Sequence, residues 1–379
     1  MTVKQATNLK AVCDRDALVE AMSMVTGVVA TRTPTPALQC VRITAHDGRL
    51  QFAATDAEVS LTLTIDRVDV QQDGDILVPA DKFSQIARSC DDKTITIASD
   101  SESLLVRSSD SRFKVFGFPI SEAPEIPTFE DEDPDFTIDA GQFRDLMEKT
   151  TFAAASDHSR YAINGVLVDR TGGTLRLVAT NGHRLALASG SCDGDKRDQQ
   201  CIIPTKAMTL LRRLLQEDGG VVSAKVDSGR VIFHIDGGAN CSATLSSNLV
   251  EGTFPPFEDV IPKDLDQRVT VDSDVLSKAV RRAHLMTNEE SRGVRLIFEG
   301  DQLVITSRAP ETGEAEIEVP ISGFTGERME IGFNPVYIID ALKVIGSSEI
   351  TIELKRSDKP GLIKSGSNFV YVVMPVNLQ

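Results

Sequence analysis

The stretch IPTKAMTLLRRLL (residues 203–215) has two counterparts in the same chain, VPADKFSQIA (78–87) and GFNPVYIIDALKVI (332–345). Aligning Pro79, Pro204 and Asn334 brings apolar residues into register at +4 (Phe83, Met208, Ile338) and +7 (Ile86, Leu211, Ala341). That spacing is the apolar stripe of an amphipathic helix. Upstream of each lies a second triplet, an Asp followed by apolar residues at +4, +7 and +8. Its members are Asp14 (Leu18, Ala21, Met22), Asp139 (Phe143, Leu146, Met147) and Asp272 (Leu276, Ala279, Val280). Each Asp is placed to cap a helix N-terminus, and Asp139 with Gln142 has capping-box spacing. The shifts agree: 14 to 139 and 79 to 204 are both 125, while 139 to 272 and 204 to 334 are 133 and 130.

Between the helices lie HDGRLQFAATD (46–56), RTGGTLRLVATNG (170–182) and EGDQLVITSRA (299–309). Alternating, β-branched runs joined by Asp-Gly or Gly-Gly predict hairpins of antiparallel sheets. Two Pro- and acid-rich stretches, residues 119–136 and 251–267, separate the copies and read as extended connectors that no helix would tolerate. The chain is therefore expected to be an α+β protein of three repeated domains, 1–132, 133–264 and 265–379, each with two helices packed on antiparallel sheets.

The 379 residues carry a net charge of −16, which at first argues against a nucleic-acid partner. The distribution alters that reading. Over the six repeat helices (14–26, 79–89, 139–151, 204–216, 272–285, 334–346) there are 12 basic and 10 acidic residues, leaving 28 basic and 46 acidic elsewhere. In the second helix of every copy the residue at +9 is basic: Arg88, Arg213 and Lys343. At about 100° per residue, +9 points away from the apolar stripe, toward solvent. Arg144, Lys149, Lys278, Arg281 and Arg282 occupy the outer face of first helices, and Lys206 joins the set. One such residue is an ordinary solvated face; recurrence in three copies points to one polyanion.

Catalytic signatures are missing: there is no HExxH, GxSxG or GxGxxG, and GLIKSGS (361–367) is not a P-loop. The five histidines show no metal-ligand spacing, and no cofactor is expected. Six cysteines without a CxxC pair read as reduced thiols, and the N-terminus has no apolar signal core, so a cytoplasmic protein is expected.

From Arg32 to the C-terminus the chain resembles the bacterial DNA polymerase III beta subunit family, the replicative sliding clamps. The resemblance rests on SRFKV (111–115), RYAINGVL (160–167), VATNGHRLAL (178–187), NLVEGTFPPFEDVIPK (248–263), SRGVRL (291–296), MEIGFNPVYIIDAL (329–342) and YVVMPVNLQ (371–379). It implies a non-enzymatic homodimer closed head to tail as a six-domain ring, with helices lining a hole for duplex DNA. An acidic exterior would then limit non-specific binding. It carries DNA contact onto Arg32 and Tyr161, with Asp157 and Ala162 standing where the family has other side chains.

The resemblance also places a pocket for short motifs of polymerase, clamp-loader and repair proteins. Its matching positions are Ile163, Thr180, Gly182, His183, Arg184, Leu185, Pro255, Val260, Val372, Val373, Met374, Pro375, Val376 and Leu378. Asn181 replaces the usual Asp, Asp259 stands where a basic or aromatic residue is frequent, and Gln379 follows the terminal Leu. The resemblance places the protomer joint on Arg112, Phe113, Lys114 and Val115, facing Leu285, Met286, Glu311, Glu314 and Glu316 of the partner copy. Two other readings remain: an enzyme using the His183–Arg184 cleft, and a repeat scaffold that binds only proteins.

Overall fold

The computed structural model describes residues 8–129, 133–156, 162–194, 197–215, 220–236, 241–288 and 293–377. The first repeat runs β1 (Lys10–Asp14), α1 (Arg15–Val25), β2 (Cys40–His46), β3 (Arg49–Thr55), β4 (Val59–Ile65), β5 (Val68–Gln72), β6 (Gly74–Pro79), α2 (Ala80–Ser89), β7 (Thr94–Asp100), β8 (Ser103–Arg107) and β9 (Arg112–Phe116). The second repeats this order: β10 (Phe136–Asp139), α3 (Ala140–Thr150), β11 (Gly165–Thr171), β12 (Thr174–Thr180), β13 (Arg184–Ser191), β14 (Asp193–Gly194), β15 (Gln199–Pro204), α4 (Thr205–Leu214), β16 (Val221–Asp227), β17 (Arg230–Asp236) and β18 (Cys241–Asn248). After α5 (Phe257–Val260), the third copy gives β19 (Gln267–Asp272), α6 (Ser273–His284), β20 (Val294–Glu299), β21 (Gln302–Ala309), β22 (Gly313–Pro320), β23 (Met329–Phe333), α7 (Pro335–Ile345), β24 (Glu349–Leu354), β25 (Gly361–Ser365) and β26 (Phe369–Val373).

The capping residues act as their spacing predicts. Asp14, Asp139 and Asp272 each accept a hydrogen bond from the backbone N–H three residues on, at 2.9, 2.8 and 2.9 Å, satisfying an orphan donor of the first turn. Asn334 caps α7 through Val336 N at 3.0 Å, whereas Pro79 has no side chain to cap α2. The stripe residues Leu18, Met22, Phe83, Phe143, Met147, Met208, Leu211, Leu276, Val280 and Ile338 are buried. Each large apolar side chain buried in this way contributes about 1.5–3 kcal/mol. The β2–β3 hairpin turns through Asp47 and Gly48, both at positive φ (51° and 74°), as a two-residue I′-type turn requires.

The chain packs as two compact units. The first comprises residues 1–144, 192–195 and 206–249. It holds a five-stranded sheet, β5-β1-β7-β8-β9, and a nine-stranded one, β14-β10-β16-β17-β18-β4-β3-β2-β6. The second comprises residues 145–191, 196–205 and 250–379, with an eight-stranded sheet, β15-β11-β12-β13-β26-β25-β24-β19, and a four-stranded one, β22-β21-β20-β23. Every strand pair is antiparallel. Repeats share sheets: β18 continues the sheet of β4, and β26 continues that of β13. An edge that one repeat would leave open is thereby paired by the next.

One expectation needs correction. The connector 251–267 is not wholly extended, since Phe257–Val260 forms a single helical turn. Pro256 sits at its N-cap, where a missing N–H costs nothing, and Phe257 is buried in the neighbouring core. Likewise residues 120–122 of the first connector form a 3₁₀ turn.

Candidate functional site

The second unit contains a site built from the β12–β13 turn, the end of β26 and the connector around α5. The turn is fixed by its own side chains. Thr180 Oγ1 donates to Arg184 O at 2.6 Å and accepts from Gly182 N at 3.1 Å. Asn181 Oδ1 accepts from His183 N and Arg184 N at 3.0 and 3.1 Å. The amide oxygen thus accepts both backbone donors, a task an Asp carboxylate could also perform. Gly182 holds φ 85°, a conformation that favours glycine. Beside the turn, Met374 N donates to His183 O at 2.9 Å, extending the β13–β26 ladder by one step.

The same turn occurs in the first unit, at Thr55–Val59. Thr55 Oγ1 donates to Val59 O (2.9 Å) and accepts from Ala57 N (3.0 Å), while Asp56 Oδ1 accepts from Glu58 N and Val59 N (3.0 and 2.8 Å). Ala57 holds φ 80°, and Asn248 N donates to Glu58 O at 2.9 Å, as Met374 N does to His183 O. The two frames match atom for atom, but their linings differ. Val372 and Leu185 of the second unit stand where the first has Ser246 and Ser60. Only the second frame is therefore apolar.

Around it Ile163, Leu185 and Val372 are buried in one cluster with Phe254, Phe257 and Leu362. Val373 is buried too, and Thr180 is inside as a turn builder rather than a surface contact. Pro255, Pro375 and Val376 are half-buried, Gly182 and His183 exposed, and two large apolar side chains reach solvent: Val260 (41% exposed) and Met374 (37%). Val376 N donates to Gly332 O at 2.9 Å and ties the tail down. Apolar surface beside a flexible thioether is suited to taking varied apolar anchors. Leu378 lies outside the described residues.

Arg184 acts beneath this surface. Nη1 donates to Asp340 Oδ2 and Nη2 to Phe152 O, both at 2.6 Å, and the guanidinium lies over Tyr337 (4.7 Å) and Phe152 (5.3 Å). Tyr371 donates to Tyr337 O at 2.8 Å, and burial pushes its hydroxyl pKa up. Sequence reasoning missed this network. Its one signal was Asp340, a lone carboxylate in the apolar run VYIIDALKVI.

The basic residues divide into two groups. Arg88, Arg213 and Lys343 are exposed in the last turns of α2, α4 and α7, where a cation also favours the helix carbonyl end. Arg32, Lys278, Arg281 and Arg282 are exposed as well. Lys149 pairs with Asp145 at 2.7 Å and Lys206 with Asp56 at 2.5 Å, so both are engaged internally; Arg144 is half-buried. Arg213 reaches Ser23 O at 3.3 Å. Tyr161 and Asp157 lie outside the described residues.

Each unit also presents a sheet edge at the positions expected for the joint. In the first, edge strand β9 exposes Arg112 and Lys114 while Val115 is buried and Phe113 half-buried; Phe116, which the sequence did not single out, is 75% exposed. In the second, edge strand β22 exposes Glu314 and Glu316, with Glu311 exposed in the preceding turn, Leu285 74% exposed and Met286 half-buried. His46, Asp47 and Asp73 cluster on the surface, with both imidazole nitrogens within 3.3 Å of a carboxylate. No helix among the described residues is long and apolar enough to cross a membrane.

Three family models match in succession: the N-terminal domain of the DNA polymerase III beta subunit over residues 9–127, its central domain over 137–256 and its C-terminal domain over 258–377. The beta sliding clamp of Pseudomonas aeruginosa is 36% identical over 371 residues, covering 96% of this chain and 98% of the relative. That of Escherichia coli is 31% identical, covering 98% and 100%. Among solved structures, the Pseudomonas aeruginosa sliding clamp bound to griselimycin superposes with a TM-score of 0.87 at 33% identity, covering 98% of this chain and all of that one. The Bacillus subtilis DNA polymerase sliding clamp does so with a TM-score of 0.90 at 26% identity and the same coverage. With its threefold repeat matched from end to end, the chain belongs to the DNA polymerase III beta subunit family, the beta sliding clamps.

Proposed function

We propose that two copies of this chain, each of three domains (1–132, 133–264, 265–379), close head to tail around duplex DNA as a cytoplasmic, non-catalytic sliding clamp. The clamp tethers the replicative polymerase, and exchanges it with clamp-loader and repair proteins that dock short motifs at the β13–β26 pocket. The observation that carries the reading is the exposed cation at one repeat position, Arg88, Arg213 and Lys343, in a chain of net charge −16. Confining the excess acid to other surfaces leaves the helix faces free to meet phosphates in any sequence. Topological linkage removes the need for many tight phosphate contacts, and loose contact permits sliding.

The joint is proposed between β9, with Arg112 and Lys114, and β22 of the partner copy, with Glu314 and Glu316. Two different patches meeting in a closed assembly form a heterologous interface, and edge strands of opposite charge suit it. Reversing Arg112 and Lys114 to Glu is expected to yield monomers in sedimentation. Mixing that variant with one carrying Glu314→Lys and Glu316→Lys makes both joints of a mixed pair charge-matched, one reversed and one as in the wild type, and closed dimers return. Dimers that persist in the first variant alone at low salt would contradict this joint.

A further inference from the structure

The pocket's surroundings carry charge as well as apolar surface. Residues 249–266, the connector beside it, contain five acidic residues and one lysine. Glu258 is spoken for: Arg176 Nη1 holds it at 3.0 Å, while Nη2 holds the buried Asp169 at 2.5 Å. Asp259 is different. It is exposed, it adjoins the exposed Val260, and no cation among the described residues pairs with it. Glu251 is exposed and equally without an ion-pair partner among the described residues. On the opposing side, Arg184 has only 10% of its side chain exposed and is engaged by Asp340 and the Phe152 carbonyl. Among the described residues around this surface, Lys263 and His183 are the remaining exposed basic groups. An apolar anchor seated by Val260 and Met374 would therefore lie beside uncompensated negative charge.

We propose that the pocket selects partner segments carrying Lys or Arg next to a large apolar anchor, and that Asp259 is the residue that reads this cation. The inference rests on the peptide-docking reading above and specifies the partner's chemistry. Electrostatic complementarity at an exposed rim acts on encounter rate and on discrimination between partners, and weakens with salt. An acidic segment would be penalised at the same point.

The test uses the full-length protein and three fluorescent decapeptides that share a Leu-Phe anchor and differ only in flanking Lys, Gln or Glu, read by anisotropy. The Lys peptide should bind about fivefold tighter than the Glu peptide at low salt, with the gap narrowing as salt rises. Asp259→Lys should reverse that order. Asp227→Lys, the same charge change on the exposed β16–β17 turn of the first unit, should leave it intact and so separates a local effect from net charge. An Asp259→Lys protein with the wild-type preference overturns the inference while leaving docking in place. Failure of all three peptides to bind at millimolar concentration removes the docking reading, and the inference with it.

Discussion

Arg184→Ala should destabilise the second unit far more than truncation of an ordinary strand arginine. The charge-assisted hydrogen bond to Phe152 O contributes about 1.5–3 kcal/mol. The ion pair with Asp340, whose side chain is 34% exposed, adds at most about 1 kcal/mol because water screens it. Stacking on Tyr337 and Phe152 adds about 0.5–1 kcal/mol each. Against this, the buried Nε has no hydrogen-bond partner and its removal relieves a desolvation cost. The net loss should be about 3 kcal/mol. Arg184→Lys keeps the charge but not the planar fork, and should recover less than half of it. Urea unfolding followed by circular dichroism gives the total, and native-state hydrogen exchange in β13 and α7 localises it. The Arg184→Ala/Asp340→Ala cycle should return a coupling of about 1 kcal/mol. A loss below about 0.5 kcal/mol, or no coupling, would refute the clamp assigned to Arg184.

Three further outcomes follow from the geometry. Ala57→Gly should stabilise the first unit by about 0.5–1 kcal/mol, because φ 80° is strained for alanine, whereas Gly182→Ala should cost a similar amount; urea midpoints decide both. Burial raises the Asp56 carboxyl, but the Lys206 bond and two backbone N–H groups outweigh it and hold its pKa below the usual value. Its stabilising contribution is therefore complete above the unfolded-state pKa of about 4 and is lost as pH falls through the folded value, so the stability gap between wild type and Asp56→Asn should close below about pH 4. Burial pushes the Cys13 thiol up to about 12 and Cys40 to about 11, so mass spectrometry should find both unalkylated by iodoacetamide at pH 8 until urea unfolds the chain.

The fold was legible where local chemistry and periodicity coincide. Asp14, Asp139 and Asp272 are N-caps, and Phe83, Met208 and Ile338 are core, because caps and stripes are short-range patterns. The shared turn of Thr55–Val59 and Thr180–Arg184 was hidden, since TDAEV and TNGHR have only the threonine in common. Its rule is a hydroxyl, then a side-chain oxygen, then positive φ, which different residues can supply. The α5 turn was missed because its prolines read as breakers, while Phe257's burial depends on long-range packing. Arg184's burial was equally out of reach: its partner Asp340 is 156 residues away. The resemblance supplied positions for the proposed docking pocket but not the division of labour among them, with Thr180 and Arg184 bonded into the framework and Val260 and Met374 exposed.

Encirclement is tested most directly by loading the protein with a clamp loader and ATP onto a nicked circular plasmid, washing in high salt, and cutting the DNA once. A ring should stay on the intact circle and leave within seconds to minutes of linearisation, while Arg112→Glu/Lys114→Glu protein should not be retained at all. Equal loss from circle and linear DNA, or retention that cutting does not change, would contradict the clamp.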